Sequence, residues 1–555
     1  MPTITFSLKD LQNLVGKKLT IEEIQDLAHY GKGDFEGYDK ETDEVKIDFG
    51  DTNLPYLWSV EGFARLINQI LGKQKGISAL SISKGNYKVI VDRSVSNVRP
   101  HISSFVAKGQ KISEYLLKQI IQLQEKLCDN YGRRRQKVAI GVYQYNKIDF
   151  PVYYRATEPE SVKFTPLDFK KDMTQQEILE EHPKGKDYAW ILEGCKKYPI
   201  LMDDKGEILS FPPIINSEKT GKIQEGDSEL FFEATGTDEN SVLLATNIFA
   251  QALSERGFKI YSVDIISPSK KMTTPFIFNE KIKINKEQIK KITGLDLKDV
   301  EIKKYLEKAG YDVIKGNITI PHYRRDILHN VDIIEDILIM YGYNNIEECT
   351  LKSYTIGSTN DIIVFIDKVR EILIGAGYQE VMSPILSNKN ILNNKMNIEG
   401  SATIEIENFM SETYSAVRSW LLPILIDFLS KNKHVEYPQN IFEQGIVTTK
   451  KGELISDYER MAVASVNEKS DYTGIKQILD YLFRMLGIKY TIVEVEHDSF
   501  IKGRVGRVIV NDKKVAFIGE VSPIVLNNSG IDLPVAAFEL NLTDLFHELN
   551  KSKKG

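Results

Sequence analysis

The chain has 555 residues, with 72 Lys or Arg against 78 Asp or Glu, and its formal net charge is −6. Such a length indicates three or four domains at about 150 residues each, and 42% hydrophobic residues is ordinary for a globular protein. Three cysteines without a CxxC spacing exclude a disulfide framework, and the weakly acidic balance requires any nucleic-acid site to be a local basic patch.

The N-terminal region, residues 1–80, is predicted to be a small mixed domain. Met1 is not followed by a basic and then an apolar segment, and no stretch reaches the ~18 apolar residues of a membrane span. We therefore expect a cytoplasmic protein with no membrane partner. Thr20 and Glu23 have capping-box spacing at the start of a helix, a Gly/Asp-rich turn covers 31–37, and residues 45–49 alternate like a strand.

Residues 85–270 are predicted to form an α+β domain. Residues 87–91 resemble a strand, residues 115–127 have the apolar period of a helix, and short apolar segments with Gly, Pro and Asp follow. Arg133-Arg134-Arg135 comes directly after the helix. Such a run can contact phosphate or simply be the solvated end of a helix, where cations favour the helix dipole. The sequence leaves both interpretations open.

Residues 271–350 are divided sharply by charge. Residues 281–325 contain ten Lys and two Arg against six acids, whereas 326–348 contain six acids and no Lys or Arg. Helices are predicted at 285–293, 299–309 and 331–341, with a strand at 317–321. This compact pattern is winged-helix-like. Its lysine-rich face either contacts RNA or only solvates a helical surface.

Residues 355–550 begin with a predicted helix at 361–375 and end with hairpin signals. The segment 508–518 alternates on both sides of Asn511-Asp512, which is typical of paired antiparallel strands. Gly375-Ala-Gly377 follows a helix and lacks the third glycine of a dinucleotide fingerprint, so it indicates a helix end. The chain has no P-loop, HExxH or GxSxG motif.

The segment 326–336 contains an acidic cluster. Asp332, Glu335 and Asp336 fall within about 100° of arc on one helix, and Asp326 precedes it. Oxygen-only ligands favour Mg²⁺ or Ca²⁺ over zinc. The alternative is a solvated helix N-terminus, where acids favour the dipole.

The acidic segment, with its ending Tyr341-Gly-Tyr-Asn-Asn-Ile346, resembles the B5 domain of the phenylalanyl-tRNA synthetase β subunit family. Similar segments follow the family order along nearly the whole chain: 51–65 for the N-terminal motif, 211–216 and 233–238 for the B3/B4 region, and 408–412, 418–423 and 442–445 for the B6–B7 region. The short chain is similar to the archaeal/eukaryotic type.

The resemblance implies an α+β multidomain protein: an N-terminal domain (1–80), a B3/B4 editing domain (85–270), a winged-helix-like B5 domain (271–350) and an inactive class II synthetase-like antiparallel-sheet domain (355–550). It also implies an α2β2 heterotetramer that charges tRNA-Phe using ATP and Mg²⁺, with ATP bound by α. Class II enzymes hold ATP with arginines in fRxE and GxGxxR motifs. Here Ile441-Phe-Glu-Gln-Gly445 lacks that arginine, and Gly503-Arg-Val-Gly-Arg507 has the wrong glycine spacing.

Two sites are implied by the resemblance. Asp326, Asp332, Glu335 and Asp336 match the family's Mg²⁺ site, shared with α. Leu201, Ser210, Glu233 and Thr235 match its editing pocket, which hydrolyses Tyr wrongly attached to tRNA-Phe. There Glu233 would accept the tyrosine hydroxyl, Ser210 and Thr235 would hydrogen-bond substrate or water, and Leu201 would be an apolar wall.

Two other functions remain compatible with the sequence. One is an RNA-binding or regulatory paralogue that works without α. The other is a freestanding editing hydrolase, which would need only residues 85–270. The retained acidic cluster and synthetase-like region both favour a subunit that has an α partner.

Overall fold

The structure is a computed structural model that describes residues 2–50, 53–351, 353–399 and 402–551. Residues 51 and 52, which open the predicted 51–65 motif, lie outside the described residues. The chain divides into two compact units, Met1–Cys349 and Thr350–Gly555. This division coincides with the boundary predicted near residue 350.

The first unit begins with a three-stranded sheet of order β1-β3-β2. Its elements are β1 (Thr3–Ser7), α1 (Leu8–Val15), α2 (Ile21–Ala28), β2 (Gly33–Asp39), β3 (Glu44–Phe49) and α3 (Val60–Ile70). The capping box predicted at Thr20 and Glu23 is confirmed. The turn predicted over 31–37 is wrong for most of its length, because pairing with β3 draws residues from Gly33 onward into a strand.

A ten-stranded mixed sheet forms the middle of this unit. Its elements are β4 (Ile82–Val91), β5 (His101–Lys108), α4 (Glu114–Lys126), β6 (Val138–Gln144), β7 (Val152–Thr157), β8 (Lys163–Phe164), β9 (Met173–Thr174), α5 (Gln175–Glu181), α6 (Pro183–Tyr188), β10 (Tyr198–Met202), β11 (Ile208–Phe211), β12 (Ile215–Asn216), β13 (Glu229–Gly236), α7 (Glu239–Glu255), β14 (Lys259–Ile266) and β15 (Lys271–Thr274). The strand order is β12-β11-β10-β7-β4-β14-β5-β13-β6, with β15 paired to β14, while β8 and β9 pair separately.

The last part of the first unit packs three helices with a small sheet of order β16-β18-β17. The elements are β16 (Lys281–Lys283), α8 (Lys286–Thr293), α9 (Asp299–Lys308), β17 (Asp312–Ile314), β18 (Asn317–Thr319) and α10 (Asn330–Tyr341). Two of the buried apolar clusters of the first unit lie within residues 85–270. A third runs from Ile4 to Met340 and includes residues of all three predicted regions.

The second unit has a seven-stranded sheet of order β19-β23-β24-β28-β27-β26-β25, in which only β19 and β23 pair in parallel. Its elements are α11 (Asp361–Gly375), β19 (Gln379–Glu380), β20 (Leu386–Ser387), β21 (Ile404–Glu405), β22 (Ala416–Val417), α12 (Leu422–Lys431), β23 (Gln439–Lys451), β24 (Leu454–Val466), α13 (Tyr472–Met485), β25 (Thr491–Glu494), β26 (Phe500–Val510), β27 (Lys513–Val521), α14 (Pro523–Ser529), β28 (Val535–Asn541) and α15 (Leu542–Lys551). The antiparallel sheet and the hairpin around Asn511-Asp512 are as predicted.

Alternation along these strands gives each face of the sheet its own core. Met461 and Val463 face one cluster, which contains residues of α11, α13 and α15. Ala462 and Ala464 face the other, which contains residues of α12 and α14. Among the residues described, no helix is long and apolar enough to cross a membrane.

Candidate functional site

Glu233 lies in the middle of β13, a strand that pairs with β5 on one side and β6 on the other. Both neighbouring strands carry buried apolar side chains, so the centre of the sheet excludes water. Glu233 is consequently only 3% exposed. A carboxyl group in such a place must find polar partners or lose its charge.

Tyr143 is the main polar partner of Glu233. Its hydroxyl lies 2.9 Å from Glu233 Oε1 and 2.8 Å from Ser210 Oγ, and all three side chains are buried. A hydroxyl has one proton and two lone pairs, so Tyr143 can donate to one neighbour while it accepts from the other. The structure therefore joins two of the predicted residues, Ser210 and Glu233, through one that the sequence analysis did not single out.

Gly141 makes room for this contact. It lies directly opposite Glu233 in the β6–β13 register. A Cβ at this position would stand 2.2 Å from the Tyr143 hydroxyl oxygen and 2.6 Å from Glu233 Oε1. Any side chain here would push the two groups apart, and so the hydrogen bond depends on the glycine.

Burial raises the pKa of Glu233 to about 8, although the hydrogen bond with Tyr143 and the charge of Arg99 act in the opposite direction. At neutral pH the side chain is therefore a neutral carboxylic acid. Its Oε2 atom is buried and has no hydrogen-bond partner among the described residues. The group can thus both donate to and accept from a ligand hydroxyl.

Thr235, the next predicted residue on this face of β13, is held by Arg99. Arg99 Nε donates to Thr235 Oγ1 at 3.0 Å, and Nη2 donates to the Thr235 carbonyl at 2.6 Å. Both residues are buried, with exposed fractions of 1% and 0%. Thr235 does not line the adjacent cavity, so the structure gives its hydroxyl an anchoring contact.

Leu201 lies on β10 directly opposite Ser210 on β11. Its side chain belongs to a buried apolar cluster with Tyr143, Tyr154 and Phe231. Like Thr235, it is absent from the cavity lining. The structure therefore brings Ser210 and Glu233 to the cavity and places Leu201 and Thr235 behind it.

The cavity itself has a volume of about 310 Å³, within the usual range of small-molecule sites. Ser210, Asn216 and Glu233 are polar residues of its wall. The apolar part of the wall comes from α4, β6 and the segment that follows β11: Leu117, Ile121, Ile140, Val142, Phe211, Pro212, Pro213 and Ile214. The lining also includes further polar and charged residues: Gln124, Glu125, Arg135, Asp168, Lys184 and Lys222. Apolar walls that meet polar groups are typical of ligand sites.

Arg133, Arg134 and Arg135 stand beside this cavity in an unusual backbone conformation. Their φ angles of 51°, 51° and 67° place three successive side-chain-bearing residues in the left-handed region, which costs about 1 kcal/mol or more for each. Arg135 lines the cavity, and its Nη1 donates to the Pro213 and Ile214 carbonyls at 3.2 and 2.8 Å. Arg133 and Arg134 are exposed.

The four predicted metal ligands do not converge in this structure. Asp326 and Asp336 both pair with Arg324, whose guanidinium is 3% exposed; the Arg324 Nη1 to Asp336 Oδ2 distance is 2.7 Å. Asp332 Oδ2 accepts the backbone N–H groups of Leu328 and His329, both at 2.7 Å. Arg324 therefore stands between two of the carboxylates as their counter-charge.

Glu335 completes the set on the exposed side of α10. Its side chain is 46% exposed and lies 3.0 Å from Lys32 Nζ. The chemistry of four carboxylates suits Mg²⁺. This chain by itself does not assemble such a site, because within the described ranges no three His, Cys, Asp or Glu side chains form a group that can hold an ion. The Mg²⁺ site stays a prediction.

Comparison with known proteins decides the family. Phenylalanine–tRNA ligase beta subunits of Pyrococcus abyssi and Thermococcus gammatolerans are 43% and 42% identical to this chain, over 98% and 99% of it and 100% of their own lengths. The chain belongs to the phenylalanine–tRNA ligase β subunit family. The resemblance found in the sequence is thereby confirmed. The members of this family are subunits of a ligase.

Domain and structure comparisons agree with this family. The tRNA synthetase B5 domain matches residues 282–343, and the phenylalanyl tRNA synthetase beta chain CLM domain matches residues 346–542. The crystal structure of an N-terminal fragment of the phenylalanyl-tRNA synthetase beta-subunit from Pyrococcus horikoshii is 40% identical, covers 62% of this chain and all of the fragment, and has a TM-score of 0.60.

Sequence analysis missed the residues that hold the predicted ones in place: Tyr143, Arg99 and Arg324. For Arg324 a signal was present, since an arginine two residues before Asp326 is a natural counter-charge for it. Tyr143 and Arg99 lie 90 and 136 positions from the residues they contact. Such contacts arise from strand order, which is not visible in local spacing.

Proposed function

We propose that this chain pairs with an α subunit in an α2β2 phenylalanine–tRNA ligase that charges tRNA-Phe, and that its cavity hydrolyses Tyr-tRNA-Phe. The relatives named as β subunits support the α partner and the tRNA substrate. The observation that carries the editing role is the neutral, half-partnered Glu233 in the cavity wall beside Ser210.

The selectivity for tyrosine follows from the free Oε2 atom. A tyrosine hydroxyl that reaches Oε2 supplies the hydrogen bond that this buried atom lacks. A phenylalanine side chain would leave the same polar group buried and unpaired. Sites built to bond a substrate hydroxyl reject the analogue without it strongly, whereas apolar walls alone discriminate weakly. Correctly charged Phe-tRNA-Phe is thereby spared.

The hydrolytic step in this proposal uses water as the nucleophile. The water oxygen attacks the carbonyl carbon of the ester that joins tyrosine to the terminal ribose, the bond from that carbon to the ribose oxygen breaks, and a proton from the water goes to the ribose oxygen, which leaves as a hydroxyl. Glu233 and Ser210 fix the tyrosine side chain, and Tyr143 holds both of them in place. Their contribution is orientation of the ester relative to the water.

We propose that Mg²⁺ binds at Asp332 and Glu335, the two carboxylates of the set that are not paired with Arg324. These residues lie one turn apart on α10, so they present two carboxylates to a subunit that would supply the remaining ligands. The double substitution Asp332→Asn and Glu335→Gln should lower the metal content of the αβ complex and loosen its assembly. Unchanged assembly and metal content would remove the pair from the proposal.

The editing role is tested on the assembled αβ complex with Tyr-tRNA-Phe. Glu233→Ala should lose most of the deacylation activity while charging with phenylalanine persists, because the synthetic site lies on α. Glu229→Ala, at a half-buried position at the start of the same strand, is the matched control. Full deacylation by Glu233→Ala would exclude the residue from editing.

A further inference from the structure

The central sheet of the second unit carries a polar row on one face. Arg507, Phe517 and Glu539 lie directly opposite one another on β26, β27 and β28, so their side chains share that face. Arg460 on β24 lies opposite Asn541, which is two positions beyond Glu539 on β28. Residues two apart on a strand point to the same face, so Arg460 adds a second guanidinium to the polar row. The opposite face is filled by buried apolar side chains. Charged groups on an inner sheet face need partners.

A cavity of about 430 Å³ lies over this row. Besides the row itself, its walls include the aromatic side chains of Trp420, Tyr458 and Phe500, with Lys514 also in the lining. All of these residues belong to the second unit. The cavity is therefore distinct from the Glu233 cavity and does not depend on the editing proposal.

The negative charges at this cavity are already matched. Glu539 Oε1 accepts from Arg460 Nη1 at 3.0 Å. Glu539 Oε2 accepts the backbone N–H groups of Leu421 and Leu422 at 2.9 and 2.8 Å. Asp544 lies 3.3 Å from Lys513 Nζ. Neither carboxylate is left to balance a further cation.

The positive charges are only partly matched, because Arg460 pairs with Glu539 whereas Arg507 has no carboxylate partner among the described residues and only donates from Nη2 to the Lys514 carbonyl, at 3.5 Å. The Nε atoms of Arg460 and Arg507 are both buried, and neither has a hydrogen-bond partner within the described part of the chain. The Arg507 guanidinium lies over the Phe517 ring, 3.9 Å from its centre. Burial, and next the nearby charge of Arg460, lower the pKa of Arg507, while the charge of Asp544 acts in the opposite direction.

We propose that this cavity binds a small phosphate monoester with a planar ring body, the chemistry of a nucleoside monophosphate. A phosphate group presents three terminal oxygens and up to two negative charges, so it can bridge guanidinium groups on separate strands. A carboxylate has one charge and two oxygens, which match a single guanidinium. The aromatic walls favour a flat ring beside the phosphate.

The test is calorimetric titration of the full-length chain with AMP, adenosine and inorganic phosphate. AMP should bind, and both fragments should bind at least about tenfold more weakly. Arg507→Gln should weaken AMP binding about tenfold or more, as loss of a hydrogen bond to a charged group commonly does. Arg484→Gln, at an exposed arginine on α13 outside the cavity lining, should leave binding unchanged.

Two further measurements separate loss of binding from loss of folding. Arg507→Lys keeps the charge but not the forked donor, so its affinity should fall between wild type and Arg507→Gln, with melting curves that show a folded chain. In the assembled complex, 8-azido-AMP should label peptides of β26 and β27. Absence of AMP binding up to millimolar concentrations, equal binding by Arg507→Gln, or inorganic phosphate binding as tightly as AMP would each overturn the proposal.

Discussion

Glu233 shows how one buried carboxyl group governs a site. Its neutral form is favoured by burial, and no basic side chain among the described residues forms a salt bridge with it, since Arg99 donates to Thr235 instead. The Tyr143 contact fixes one carboxyl oxygen and leaves the other for a ligand. In the proposed editing site, specificity for a substrate hydroxyl would depend on this buried oxygen, which is costly to leave without a hydrogen bond.

The pH dependence of stability follows from this burial. The folded pKa of about 8 lies above the ordinary value of 4.5, so between these pH values unfolding releases a proton. The stability that the neutral form provides is complete below about pH 4.5 and is lost as pH rises towards about 8. Glu233→Gln, which is always neutral, should therefore gain stability relative to wild type over this window.

Chemical denaturation at pH 5, 7 and 9 measures the effect. The difference in unfolding free energy between wild type and Glu233→Gln should change progressively across the series, by about 1.4 kcal/mol for each unit of pKa shift. Glu229→Gln is the control on the same strand. Parallel pH curves for wild type and Glu233→Gln would show that the carboxyl group is already ionised at neutral pH.

At the scale of single elements, α10 illustrates how one cation organises an acidic helix. The carboxylates of Asp326 and Asp336 are mostly buried, with 5% and 15% of their side chains exposed, and Arg324 lies between them. The Tyr311 hydroxyl also donates to Asp336. The acids that the sequence presents as one cluster are therefore divided between a buried ion-pair network and an exposed helix face.

Removal of the Arg324 guanidinium should strongly lower the free energy of unfolding. Arg324→Met leaves two buried carboxylates without their counter-charge, which typically costs about 3–5 kcal/mol of unfolding free energy. Arg325→Met is the matched control, because Arg325 pairs with the half-exposed Glu280 near the surface and such pairs contribute about 0–1 kcal/mol. If urea denaturation gave the same loss of unfolding free energy for both variants, the buried ion-pair network would contribute no more to stability than the surface pair.

The arginine turn at 133–135 combines backbone strain with exposed charge at the edge of the cavity. Arg135 ties the turn to the Pro213–Ile214 segment of the wall, and its guanidinium lies 4.2 Å from the centre of the Tyr188 ring. Arg133 and Arg134 remain exposed. A strained turn held in this way is more than the solvated end of α4, and it favours the phosphate-binding interpretation of the motif.

Replacement of Arg133 and Arg134 by Gln should raise the KM for deacylation of Tyr-tRNA-Phe with little change in kcat. The slope of log affinity against log salt should fall by about 0.7 for each phosphate group that the variant no longer binds. Arg155→Gln, at an exposed arginine on β7, is the control. An unchanged salt slope in the double variant would assign the turn a purely structural role.

At the scale of the whole molecule, the chain contains a synthetase-like sheet without the arginines that class II enzymes use for ATP. Glu443, in the segment that lacks the motif arginine, is 1% exposed and lies 2.6 Å from Arg418 Nη1. Ser383 Oγ also donates to it, at 2.7 Å. This carboxylate is therefore committed to internal contacts, which agrees with a scaffold role in an αβ complex.

The isolated chain should show no phenylalanine-dependent exchange of pyrophosphate into ATP, and charging of tRNA-Phe should appear only after an α subunit is added. The reason is that the arginine positions of both ATP-binding motifs are missing from this chain. Exchange by the pure chain would contradict the scaffold assignment. Inactivity of the mixture, with both proteins folded, would favour the α-independent paralogue.

Local patterns in the sequence predicted many elements closely. The 361–375 helix and the hairpin at Asn511-Asp512 follow from helical period, alternation and turn residues. The β2 strand was missed because its glycines indicate a turn, and only pairing with β3 overrides that preference. One buried apolar cluster joins all three predicted regions of the first unit, which local patterns do not reveal.

The sequence by itself determined the family, the order of the regions and the residue types at both candidate sites, because these depend on spacing along the chain. Tertiary structure alone decided which of those residues meet. Strand order brings Tyr143 to Glu233 and Arg99 to Thr235, and it leaves Leu201 in the core. The physical reason is that burial and charge balance are set by neighbours that lie far apart in sequence.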